Sequence, residues 1–130
     1  MILDTSFLID LMRGYLKALN KLKELEKRGE TLYVAAPTIY ELYLGIELSQ
    51  MPDRELRRIE EVLKEQPVLP LDEKAAQLAG AIQGKLMKKG QVIDPLDALI
   101  IGVALAHEEG VVTRNAEHFS RVEKLKVESY

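Results

Sequence analysis

Short aliphatic runs alternate with helical patterns along the whole of this chain, and that alternation restricts what it can fold into. The runs are residues 1–4, 31–36, 68–71 and 111–113, with a short fifth at Lys126–Val127. Between them apolar residues recur at helical spacing: Phe7, Leu8, Leu11 and Met12; then Leu16, Leu19, Leu22 and Leu25; then 38–50 and a charged stretch after Pro52. A long segment follows Asp72, and another begins at Pro95. Strands separated by helices predict an α/β fold with a central parallel sheet and helices on both faces. The segment from Pro95 to His107 is apolar almost all round, which predicts a central buried helix. Pro67 and Pro70 bracket the third run and predict a strand at a sheet edge. The patterns leave the strand order open.

At 130 residues, 47% of them hydrophobic and 30% charged, the chain suits one domain spanning 1–130 with a single core. It has no cysteine, which removes disulfides, thiolate metal sites and thiol nucleophiles together. The net charge of −3 argues against a protein that coats nucleic acid through bulk positive charge, yet allows an acidic site that holds metal. The start carries no basic segment before a long apolar one, and no window reaches the roughly 18 apolar residues of a membrane span. A cytoplasmic protein without a membrane segment is therefore expected.

Four positions stand where a run hands over to a helix: Asp4, Glu41, Asp97 and Asn115. In open α/β folds those handovers converge on one edge of the sheet, where ligands bind. Each position also has a purely structural explanation. Asp4 and Asn115 are suitable N-caps, and Thr38 with Glu41 has the spacing of a capping box. Asp94 before Pro95 is a further N-cap, which leaves Asp97 in the first helical turn where a carboxylate suits the helix dipole. Taken together the acids point elsewhere. Crowded carboxylates repel one another unless a cation joins them, and hard divalent ions take oxygen ligands. Such a site can act on a phosphodiester.

Asp4-Thr5-Ser6 after the first run, Glu41 opening a helix, Asp97-Ala98-Leu99-Ile100, and Val112-Thr113-Arg114-Asn115 with Phe119 resemble the motifs of a PIN domain. Among PIN domains the chain is most similar to the small VapC-type toxins of toxin–antitoxin pairs, over its whole length and in motif order. The resemblance implies a five-stranded parallel sheet and a Mg²⁺- or Mn²⁺-dependent ribonuclease. It implies Asp4, Glu41 and Asp97 as metal-binding acids, with Thr5, Ser6 and Thr113 as supporting polar groups. The family's fourth acid falls on Asn115, whose amide brings an oxygen and no charge and so weakens a second metal position. Asp94, one turn before Asp97, either compensates or only caps. The resemblance further implies a homodimer, an RNA substrate and a VapB-type antitoxin that presents Arg or Lys to the acids.

Arg114, between two motif residues, is a candidate RNA contact, and Lys85, Lys88 and Lys89 are either phosphate contacts or a solvated helix end. His107 and His118 are read as a helix-end residue and a turn residue outside the chemistry. Tyr40, Tyr43, Leu44 and Leu48 exceed one core-facing stripe, so their helix is expected to be buried on more than one side, within the core or against a partner. Three alternatives to the toxin remain at this point: a phospho-receiver domain, a catalytically inactive PIN-like binding module, and an RNA-processing PIN nuclease.

Overall fold

A computed structural model describes residues 1–130. Five strands of two residues each are all parallel: β1 (Ile2–Leu3), β2 (Val34–Ala35), β3 (Val68–Leu69), β4 (Val111–Val112) and β5 (Val127–Glu128). Regular ladders join β1, β4 and β5 in that order, and β2 with β3. A bridge from Ile2 to Tyr33 links the two ladders, with Leu3 N donating to Tyr33 O at 2.8 Å and Tyr33 N donating to Met1 O at 3.0 Å. The order across the molecule is therefore β3-β2-β1-β4-β5. The chain's progression across the sheet, not the strand direction, reverses between β1 and β4, which leaves a crevice at their C-terminal ends.

Seven helices connect the strands: α1 (Thr5–Met12), α2 (Leu16–Lys27), α3 (Ala36–Leu48), α4 (Pro52–Leu63), α5 (Glu73–Lys88), α6 (Pro95–Ala106) and the single turn α7 (Ala116–Phe119). Alternation of side chains along the strands divides the core in two. Ile2, Ala35 and Val111 face one cluster with α5, α6 and Phe119, whereas Leu3, Val34 and Val112 face a second with α1 to α4. Helices thus cover both faces, as expected.

α6 is the buried central helix, with Ala98, Ile100, Ile101, Gly102, Val103 and Ala104 all enclosed. It lies hard against α5. A Cβ on Gly102 would stand 2.8 Å from Ala79 Cβ and closer still to the Ala75 carbonyl oxygen. Asp72 caps α5 by accepting from Ala75 N, and Asp94 caps α6 by accepting from Leu96 N, at 2.9 and 2.8 Å.

Three local expectations change. α3 begins at Ala36 with Pro37 in its first turn, two residues before Thr38. Proline needs no donor there, so the helix starts earlier and Thr38 is not its cap. α3 also buries one side only: Thr38, Leu42 and Ile46 are enclosed, whereas Tyr40, Tyr43, Leu44 and Leu48 are exposed. His118 lies in α7 rather than in a turn.

Candidate active site

Asp4 follows β1 directly, in extended backbone, and is only 2% exposed. Its side chain makes no cap bond to α1. Instead Oδ2 accepts from Ser6 Oγ and from Thr113 Oγ1, both at 2.7 Å. Those hydroxyls are themselves oriented. Ser6 Oγ accepts from Arg114 N at 3.2 Å, and Thr113 Oγ1 accepts from Asn115 N at 3.0 Å. The turn after β4 is thereby laced to the start of α1 across the crevice.

The other carboxylate oxygen, Asp4 Oδ1, is buried and has no partner. Leaving such an atom unsatisfied costs about 1–3 kcal/mol. A hard cation is one ligand that removes this cost on a carboxylate oxygen, and the one that three neighbouring acids favour.

Glu41 sits one turn into α3, half-buried, with Oε1 accepting from Thr5 Oγ1 at 2.8 Å. Thr5 Oγ1 also lies 3.0 Å from Thr38 Oγ1. Thr38 therefore supports Thr5, and the capping-box pairing with Glu41 is not formed. Asp97 occupies the third position of α6, half-buried. Burial, then Asp4, Asp94 and Glu41 in that order, pushes its pKa up from 3.8 to about 7. Burial likewise raises Glu41, against the Thr5 bond that lowers it and with Asp4 and Asp94 adding to the rise. The four acids thus sense one another electrostatically. As their side chains lie, no three of them form a closed ligand set.

The remaining expected residues divide. Asp94 is exposed and caps α6. Asn115 stands at the N-terminus of α7 with no cap bond from its side chain. Lys85 and Lys89 line a separate hollow with Arg121 and Lys124, away from the carboxylates, and Lys88 is exposed at the end of α5. His107 Nδ1 lies 2.9 Å from Val103 O at the end of α6. Arg114 Nη1 bonds Asp10 Oδ1 at 2.9 Å. Asp10, outside the carboxylate group, is marked in the sequence only as a lone acid inside the run Phe7-Leu8-Ile9-Asp10-Leu11.

The PIN domain family model matches residues 1–125. The chain belongs to the PIN-domain family. That membership removes the phospho-receiver alternative. This PIN domain is 36% identical over 97 residues to a protein of Shigella flexneri named tRNA(fMet)-specific endonuclease VapC, covering 75% of this chain and 74% of that one. It is 32% identical over 130 residues to ribonuclease VapC2 of Haemophilus influenzae, covering 98% and 96%. Among solved structures it resembles the DNA-bound VapBC of Salmonella typhimurium with a TM-score of 0.87 at 29% identity, covering 98% and 96%. The DNA-bound VapBC2 of Rickettsia felis shares the fold, with a TM-score of 0.90 at 23% identity and coverage of 99% and 97%. No helix of this PIN domain is long and apolar enough to cross a membrane.

Proposed function

We propose that this chain is a divalent-metal-dependent endoribonuclease, the toxin of a VapBC-type toxin–antitoxin pair, working as one domain over residues 1–130. The observation that carries the reading is the buried, unpartnered Asp4 Oδ1 on the sheet edge that also holds Glu41 and Asp97. Relatives named as VapC ribonucleases support it.

Asp4, Glu41 and Asp97 would hold the metal, Mg²⁺ or Mn²⁺, as the oxygen-only donor set favours hard cations. A divalent cation bound there supplies positive charge at the phosphodiester and acidifies the attacking water. The protein's own part is orientation. Ser6 and Thr113 fix Asp4 through one oxygen and leave the other for the metal, while Thr5 fixes Glu41. Asn115, neutral and exposed, gives weaker support at the same edge, and Asp94 remains committed to its cap. Arg114, whose backbone N–H bonds the Ser6 hydroxyl that holds Asp4, is the cation we assign to the RNA backbone, with Lys85, Lys88 and Lys89 as outlying contacts.

The substrate class we assign is tRNA, on the strength of the Shigella relative. A VapB-type antitoxin segment would lie in the hollow of about 290 Å³ between α1, α3 and α4, where Ile9, Leu42, Ile46 and Ile59 give an apolar wall and Glu41 stands at the site. The exposed Tyr40 beside Leu71, Leu96 and Leu99 forms an apolar recess suited to homodimerisation. We place the protein in the cytoplasm, where its substrate is.

Incubation with tRNA and with single-stranded RNA, with and without Mn²⁺, tests the reading. Cleavage is expected only with metal and at internal positions. Cleavage that persists in EDTA, or none at millimolar Mn²⁺, would refute it, the second outcome favouring an inactive binding module.

A further inference from the structure

Asp10 is a buried acid with no part in the carboxylate site. It is 5% exposed, and both of its oxygens are taken: Oδ1 by Arg114 Nη1 at 2.9 Å, Oδ2 by the Tyr130 hydroxyl at 2.6 Å. The Tyr130 ring is in turn set edge-on against fully buried Phe7, with centroids 4.8 Å apart and planes at 63°. A buried carboxylate is costly without its partners, so this arrangement pins the guanidinium rather than merely touching it.

Arg114 is not consumed by that pairing. Its side chain is 53% exposed, and of its five donors only one is used within the chain. Its backbone N–H meanwhile bonds the Ser6 hydroxyl that holds Asp4 Oδ2. The same residue is thus tied to the metal-site frame by its backbone and held at a fixed angle by its side chain, with donors left over. A chain of net charge −3 with clustered acids admits a polyanion more readily when a fixed cation lies on the strand's approach.

We propose that Arg114 binds a backbone phosphate of the RNA strand entering the carboxylate site, and that Asp10 and Tyr130 are positioning residues that pre-set its guanidinium. The inference rests on the nuclease reading for its substrate but can be measured without catalysis. Holding a long side chain in its bound geometry beforehand removes ordering entropy from binding, so loss of either anchor weakens RNA capture and spares chemistry.

The test compares wild type with Asp10→Asn, Tyr130→Phe, Arg114→Gln and the Asp10→Asn/Arg114→Gln double variant. Affinity for a fluorescent single-stranded RNA is read by anisotropy in EDTA, and kcat and KM are then read with Mn²⁺. Arg114→Gln and Asp10→Asn are each expected to raise Kd and KM by about tenfold, and Tyr130→Phe by about threefold. kcat and Mn²⁺ affinity should stay within about twofold, and the double variant should be no worse than Arg114→Gln, as for residues acting through one group. Tyr130→Phe loses one hydroxyl only and serves if Asp10→Asn fails to fold. Additive losses, tighter RNA binding by Asp10→Asn, or a lowered melting temperature with unchanged RNA affinity would each overturn the proposal. Absence of metal-dependent cleavage by wild type would sink the nuclease reading alone, because the EDTA binding series still reports on Arg114.

Discussion

Asp97→Asn is expected to lower metal-dependent RNA cleavage by roughly 10²–10³-fold, while making the metal-free protein more stable above neutral pH. The substitution keeps the volume and removes the charge. Burial and three neighbouring acids hold the folded-state pKa of Asp97 at about 7, against an ordinary 3.8. For an acid raised on folding, the stabilisation from its neutral form is complete below about 4 and is lost as pH rises through 7. At pH 8 the metal-free protein therefore carries an ionised, repelled carboxylate that the asparagine variant lacks. Asp97 is partly exposed, so solvent screens the effect, and a gain of only a few degrees in melting temperature is expected. The gain should vanish at pH 4 and reverse when Mn²⁺ is added to both proteins. Parallel melting scans at pH 4 and pH 8, with a cleavage assay on the same samples, check both halves. Retained activity in the variant would remove Asp97 from the site.

Gly102→Ala is expected to cost about 3 kcal/mol, near the upper end of overpacking penalties, for a single added methyl. The new Cβ would meet the Ala75 carbonyl and stand 2.8 Å from Ala79 Cβ and 3.0 Å from Ala79 N. Two of these are backbone atoms of α5, which cannot rotate away, so the α5–α6 pair must separate. Because Asp97 is the third residue of α6, the same shift should weaken metal binding as well. Gly80→Ala is the control. Nothing lies within 4 Å of a Cβ there, so it should gain about 0.5–1 kcal/mol from helix propensity. Urea unfolding of the three proteins measures the differences, and a Gly102→Ala variant as stable as wild type would contradict the close packing of α5 on α6.

Much of this was legible in the chain because it is locally encoded. The alternation of runs and helical patterns gave the layers, the all-round apolar pattern at 95–107 gave the central helix, and Asp72 and Asp94 marked real helix starts. Local rules failed where contacts distant in sequence compete. Thr38 and Glu41 match a capping box, yet Pro37 extends the helix upstream and Thr5, 33 residues away, aligns with Thr38. Asp4 stands where a cap should stand, but Thr113 reaches it from 109 residues away. The partners of Asp10 were unreadable for the same reason, since they lie 104 and 120 residues further on. The exposed apolar side of α3 matched a core pattern because hydrophobic periodicity does not distinguish a core-facing stripe from apolar residues left at the surface. Strand order follows from pairing between two-residue strands, for which no single segment carries a signal.

Calorimetric titration of Mn²⁺ into wild type and Asp4→Asn at pH 6 and pH 8 tests the central claim most directly. If Asp4 Oδ1 is a metal ligand and Asp97 must ionise to join it, wild type binds more tightly at pH 8 and releases a proton at pH 6. Asp4→Asn then binds at least about tenfold more weakly at both. Equal binding by the two proteins, or no binding by wild type at millimolar Mn²⁺, would contradict a three-carboxylate metal site built on Asp4, Glu41 and Asp97.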